Sequence, residues 1–169
     1  MNGFGTGPFR GRFEIKLDPK GRLSLPPAFR TPVGPSGKSI QAGELVVTNS
    51  RYRGRACLDV YSLAEWERLE RRIGKLSSLK PEVQAFNRFY LSGGQSVEID
   101  AQNRILVPQS LRRYSGLEAE AVLVGLGNKF EIWAEQAWKS VYDQLAQSFE
   151  DTVSAVAALD TLVDSSGDN

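Results

Sequence analysis

The sequence predicts an α+β fold in which two tandem copies of one β-hairpin-and-helix unit share a single core. Three observations predict it. A motif of fourteen residues occurs twice, apolar residues around each occurrence alternate with polar ones, and helical segments opened by Pro or Ser follow each occurrence. Setting Phe13–Pro26 on Gln95–Pro108 aligns Asp18 with Asp100, Arg22 with Arg104 and Pro26 with Pro108, at a constant offset of 82. The apolar positions Ile15, Leu17, Leu23 and Leu25 meet Val97, Ile99, Ile105 and Val107, and Arg30 meets Arg112. Further on, Leu45-Val46-Val47 matches Val122-Leu123-Val124 at offset 77, and Leu58–Tyr61 matches Phe130–Trp133 at offset 72. Trp66 on Trp138 closes the series. These offsets place two insertions of five residues in the first copy, in Gly/Pro/Ser-rich and Arg-rich stretches where loops tolerate added chain.

Each copy opens with a strand pair, because Phe13, Ile15 and Leu17, then Leu23 and Leu25, follow a period of two. The turn between them, Asp18-Pro19-Lys20-Gly21, has a physical rationale. Asp bonds the turn amides, Pro presets φ and Gly takes the left-handed conformation. The second turn carries Asn103 at the Gly21 position, and Asn is the next most tolerant residue there. Short helices are predicted from Pro26 and Pro108. Ser62-Leu-Ala-Glu65 has capping-box spacing before Leu63, Trp66, Leu69 and Ile73. Pro81 opens a helix running through Leu91, ended by Gly93-Gly94. A last helix is predicted from near Glu135, with Tyr142, Leu145, Phe149, Val156, Leu159 and Val163 on a three-four pattern that suits core packing or a helix–helix seam. The expected organisation is an N-terminal extension at 1–8, flexible; a first repeat at 9–77; a connecting helix and Gly junction at 78–94; a second repeat at 95–145; and a C-terminal extension at 146–169, helix then a disordered tail from Ser165.

Composition narrows the function. There is no His and one Cys, Cys57, so His-based zinc sites, Ser-His-Asp triads and intrachain thiolate clusters are excluded. No metal or other cofactor is expected. Nothing resembles a membrane span or a signal peptide. The formal net charge of +1 conceals an asymmetry. The first 55 residues hold ten basic against three acidic groups, whereas residues 114–169 hold two against ten. A basic end and an acidic end suit a protein that meets a polyanion on one surface only.

The stretch Phe9–Phe29, with its Asp-Pro-Lys-Gly-Arg-Leu-Ser-Leu-Pro-Pro core, resembles the opening of the bacterial MraZ transcriptional regulators. Asp100–Pro108, Gly125–Trp133 and Arg88–Gly94 resemble the same family, so the likeness covers roughly residues 9–145. It implies two AbrB-like swapped-hairpin units forming one pseudo-symmetric barrel with flanking helices. It implies a ring-shaped homo-oligomer in the cytoplasm, associated with the nucleoid. The ring would bind double-stranded DNA at promoter direct repeats upstream of the division and cell-wall gene cluster that includes its own gene, and would usually repress it. Neither a small-molecule substrate nor a membrane is implied. The Asp-x-x-Gly-Arg hairpin ends are the implied DNA-contacting elements.

A two-stranded ribbon can enter the major groove. Arg22, just past the first turn, is the central candidate for DNA contact, with a fork suited to guanine or phosphate. Lys20 at the tip, Lys16, Arg12 and Arg10 are candidates for phosphate, and Arg104 is the second-copy counterpart of Arg22. Lys16, Arg22 and Ser24 are expected to share the face opposite the Leu core. Arg22 and Arg104 can equally serve the turn by pairing with Asp18 and Asp100. Asp18, Gly21, Asp100 and Asn103 are assigned to turn structure. The basic loop Arg51–Arg55 reads as a solvated hairpin end, with a second DNA contact through Tyr52 on sugar or base as the alternative, and the run Glu65–Lys75 as a solvated helix face with pairs such as Glu67–Arg71. Two rivals remain. An enzyme would have to use Glu14, Asp18, Glu98 and Asp100, which sit beside structural turns without a nucleophile. A ring-shaped scaffold that binds no DNA would rest on the acidic C-terminal helix.

Overall fold

A computed structural model describes residues 7–30 and 44–165, with side chains to position 161. The expected flexible start and disordered tail fall mainly outside these residues. The first copy runs β1 (Arg12–Lys16), β2 (Arg22–Ser24), α1 (Pro27–Arg30), β3 (Glu44–Tyr52), β4 (Arg55–Ser62) and α2 (Leu63–Gly74). The connection is α3 (Pro81–Phe86), continued by one π-helical turn at Asn87–Leu91. The second copy repeats the order with β5 (Gln95–Glu98), β6 (Arg104–Leu106), α4 (Gln109–Ser115), β7 (Glu120–Gly125), β8 (Lys129–Ala134) and α5 (Glu135–Gln147). A last helix, α6 (Phe149–Ser165), follows Ser148, so the single C-terminal helix expected from sequence is broken in two. The contacts divide the chain into two units, 1–135 and 136–169.

In the first unit the strands form an antiparallel sheet in the order β1-β7-β8-β4-β3-β5 and a two-stranded ribbon, β2-β6. The described strands thus make an open sheet and a ribbon, not a closed barrel. Apart from the hairpins β3–β4 and β7–β8, every ladder joins one copy to the other. Leu17, Leu23, Leu25, Leu45, Val47, Leu58 and Val60 from the first copy pack into one cluster with Val97, Ile105, Val107, Leu123, Phe130 and Ile132 from the second. Each such side chain, fully buried, contributes about 1.5–3 kcal/mol. Neither copy can bury this surface alone.

The ladders carry a local twofold relation. Leu23 faces Ile105 across the ribbon, and Asp59 faces Glu131 across β4–β8, each residue opposite its own counterpart in the repeat. The register also corrects one expectation. Leu45 pairs with Ser62 and Ala121 with Ala134, while Glu44 pairs with Glu98 and Glu120 with Lys16. The counterpart of Leu45 is therefore Ala121, an offset of 76 rather than 77, and the insertions are six and four residues. An offset of 77 would set Leu45, which faces the core, on Val122, which faces the other side, and a slip of one residue in a strand exchanges its faces.

Between the copies, the π turn is fixed by β3: the Thr48 hydroxyl donates to the Tyr90 carbonyl at 2.6 Å and the Asn49 amide to the Phe89 carbonyl at 2.8 Å. Gly94 then passes close to α2, where a Cβ would lie 2.5 Å from the Trp66 ring. Ser62 caps α2, its Oγ accepting the Glu65 amide at 3.3 Å, and Glu67 pairs with Arg71 at 3.9 Å as the sequence predicts.

The sheet face opposite the main core holds a polar network. Lys129 Nζ lies 2.8 Å from Asp59 Oδ2, which also accepts the Tyr90 hydroxyl, and the Tyr61 and Tyr90 hydroxyls are 2.7 Å apart. Glu131 accepts the Trp133 indole N–H at 2.6 Å. Burial pushes the Glu131 carboxyl up from its ordinary pKa, against the pull of that N–H. A folded pKa above the unfolded one gives stability at low pH that is lost as pH rises through the folded value. Glu131→Gln, which keeps an acceptor for Trp133, should therefore raise the Tm more at pH 8 than at pH 4. An equal gain at both pH values would overturn this.

Candidate nucleic-acid interface

The two turns have the same construction. In the first, Asp18 Oδ1 accepts the amides of Lys20 and Arg22, each at 2.9 Å, and Oδ2 accepts Arg22 Nε at 2.6 Å. The Gly21 amide returns to the Asp18 carbonyl at 2.9 Å. In the second, Asp100 Oδ1 accepts the amides of Gln102 and Arg104, each at 2.9 Å, and Oδ2 accepts Arg104 Nε at 2.9 Å. Gly21 has φ +86° and Asn103 φ +56°, so Asn takes the left-handed position that Gly takes in the first copy. The amides, led by those of Arg22 and Arg104, hold the Asp18 and Asp100 carboxyls below the ordinary aspartate range, and the guanidiniums add to this. Both stay ionised at neutral pH. Asn103→Val should cost on the order of 1–3 kcal/mol, since a β-branched residue fits this region poorly. Asn103→Gly should leave stability equal or higher. Thermal melting of the two variants checks both.

Each turn is also tied to the other copy. The Gly21 carbonyl accepts the Val107 amide at 3.0 Å and the Asn103 carbonyl accepts the Leu25 amide at 2.8 Å. Arg112 Nε donates to the Val107 carbonyl at 3.0 Å, and a Cβ at Gly21 would meet its guanidinium 2.3 Å away. Arg30 Nε donates equivalently to the Leu25 carbonyl at 2.7 Å. Arg30 and Arg112 are thus anchors for the strand ends. The sequence carries the signal for this role, both residues standing eight positions past Arg22 and Arg104.

The ribbon places Arg22 opposite Leu106 and Ser24 opposite Arg104, with Leu23 and Ile105 buried beneath. Arg22, Ser24, Arg104 and Leu106 therefore share one outward face, the two arginines diagonal to each other at about 7–8 Å between Cα atoms. Lys20 is exposed at the turn tip. Lys16 lies outside this ladder, just before the Leu17–Leu23 bridge that joins the end of β1 to β2. It lies on β1, opposite Glu120, whose carboxylate is 3.6 Å away. Both groups are well exposed, so their pair is worth about 0–1 kcal/mol. Arg12 begins β1 and Arg10 precedes it, both exposed. Arg51–Arg55 forms an exposed hairpin end, with positive φ at Arg53 and Gly54.

As to a metal, among the described residues Cys57, Asp59 and Glu131 bring ligand-type atoms within 4.8 Å of one another. Lys129 already neutralises Asp59, and burial pushes the Cys57 thiol up, so the group fits a hydrogen-bonded network better than a cation site. No described helix is long and apolar enough to cross a membrane.

Fold and site together define a duplicated α+β protein whose halves pair their strands in one sheet and present a cationic ribbon. A family model described as "MraZ protein, putative antitoxin-like" matches twice, over residues 9–89 and 90–159. The chain is 37% identical to the transcriptional regulator MraZ of Pelotomaculum thermopropionicum over 151 residues, spanning 89% of this chain and 97% of that one. It is 38% identical to that of Solidesulfovibrio magneticus, over 89% and 95%, and 42% identical to that of Halorhodospira halophila, over 78% and 82%. The chain belongs to the MraZ family.

Proposed function

We propose that this protein is a sequence-specific DNA-binding transcriptional regulator, acting as a repressor of the division and cell-wall gene cluster that contains its own gene. The relatives named transcriptional regulators, none of them named as an enzyme, support the regulatory reading. The observation that carries the DNA reading is the outward ribbon face. Arg22 and Arg104 are each held through Nε by the turn aspartate, which fixes the guanidinium plane. In the first turn, among the described residues, the terminal amino groups of Arg22 carry no hydrogen bond, so the fork remains available to guanine or phosphate. Lys20, Arg12, Arg10 and Lys16 would contact phosphate and position the ribbon without specifying sequence. The strand exchange between copies supports a swapped-hairpin arrangement, and a homo-oligomeric ring would multiply affinity over direct repeats by about 10²–10⁴ through effective concentration.

The test is a gel shift of the DNA upstream of the protein's own gene at several salt concentrations. A shift that weakens steeply with salt is expected as counterions are released. No shift, or one independent of salt, overturns the reading. One observation favours the scaffold alternative: α6 exposes Phe149, Val153, Val156 and Leu159. A scaffold would show no shift.

A further inference from the structure

The twofold relation of the ribbon is broken at one pair of positions. Arg22 and Arg104 are counterparts, as are Leu23 and Ile105, but Ser24 corresponds to Leu106. Leu106 is a large apolar side chain, 52% exposed, on the proposed DNA face beside Arg22. The flanking bonds, from the Val107 amide to the Gly21 carbonyl and from the Leu25 amide to the Asn103 carbonyl, make Arg22–Leu106 and Ser24–Arg104 non-hydrogen-bonded pairs. In such pairs the Cα atoms approach to about 4.5 Å and the side chains are closest. Across the ribbon, the residue facing each arginine is therefore apolar for Arg22 and hydroxylic for Arg104, whose Nη2 also donates to Gln102 Oε1 at 2.8 Å.

The two neighbours differ in what they read. An apolar side chain beside an arginine fork matches a thymine methyl next to guanine in the major groove, whereas a serine hydroxyl donates or accepts and discriminates little. A groove about 12 Å wide admits a two-stranded ribbon, so both pairs can reach base edges together. We infer that Leu106 and Ser24 set the polarity of the DNA element. One chain reads an asymmetric element, with guanine contacts on both sides of the local twofold and a thymine-methyl contact on the Leu106 side alone. This inference rests on the DNA-binding reading and adds to it a specificity determinant outside the cationic set.

The test is selection from a library of duplexes with 30 random positions, using the full chain as wild type, Leu106→Ser and Ser24→Leu. Wild type should enrich a non-palindromic element with a favoured thymine on one side. Leu106→Ser should lose that preference and keep the rest. Ser24→Leu should gain a second thymine and give an inverted repeat. Uracil in place of the selected thymine, which needs no variant, should weaken wild-type binding about fourfold, the worth of one buried methyl-sized group. It should leave Leu106→Ser unchanged. A palindromic wild-type element, or the same element from wild type and Leu106→Ser, overturns the inference while the DNA reading stands. No enrichment by any of the three overturns both.

Discussion

Replacing Arg22 and Arg104 together by alanine should weaken binding to the upstream duplex by about 30-fold to 10⁴-fold. The figure follows from two arginine contacts to guanine worth about 1–3 kcal/mol each, Arg104 first releasing its Nη2 bond to Gln102 Oε1. The loss should belong to binding and not to folding. Asp18 and Asp100 keep their backbone amide donors in the variant, and each lost ion pair is partly exposed, so it is worth about 0–1 kcal/mol. Fluorescence anisotropy measures the affinity and a thermal melt confirms the fold. Arg22→Lys adds a control, since it keeps the charge but loses the planar fork. It should retain the salt dependence of binding and lose discrimination between sequences. Lys16→Ala, whose partner Glu120 already offsets its charge, should cost far less. Unchanged affinity in the double alanine variant would remove the ribbon from consideration as the DNA site.

Lys129→Met should destabilise the protein by about 3–5 kcal/mol, the cost of removing one partner from a buried ion pair. Asp59 is 1% exposed, and its Oδ1 finds no partner among the described residues. Without Lys129 the carboxylate would keep only the Tyr90 hydroxyl. Urea unfolding at pH 7 measures the loss, and the double change Lys129→Met with Asp59→Asn should recover much of it because no buried charge is left over. The pair also predicts an alkaline limit. Burial is the largest single influence and works against the Lys129 charge, but Asp59, Tyr61 and Glu131 together outweigh it and hold the ammonium pKa above its ordinary 10.5. A raised lysine pKa gives stability that is complete below the ordinary value and disappears as pH rises through the folded one. Wild type should therefore lose stability above about pH 10.5 more steeply than Lys129→Met. A Lys129→Met variant as stable as wild type would show that the pair contributes nothing.

The turns were the most legible part of the molecule. Asp18, Gly21, Asp100, Asn103 and both arginines carry local chemistry, and local hydrogen bonds realise it within five residues. The strand alternation around them was equally plain, because one face is buried and the other solvated. The register of β3 against β7 was not. Leu45–Thr48 and Ala121–Val124 are buried on both faces, so they read as continuous apolar runs without a period, and matching them by residue type set them one position out of step. The π turn at Asn87–Leu91 was hidden for another reason. Its loosened carbonyls are held by Thr48 and Asn49, some forty residues away. The Asp59–Lys129 pair likewise joins different copies, and no spacing within either copy announces it.

The ladders that run from one half to the other pair the two copies as the subunits of a dimer would pair, but within one covalent chain. In a dimer of two identical subunits every mutation arrives twice, on both sides of the axis. With the halves encoded separately in one gene, a mutation arrives once. Glycine can then persist at position 21 while asparagine serves at 103, and serine at 24 while leucine stands at 106. One half can then differ in chemistry from the other, at a stoichiometry that dilution cannot disturb.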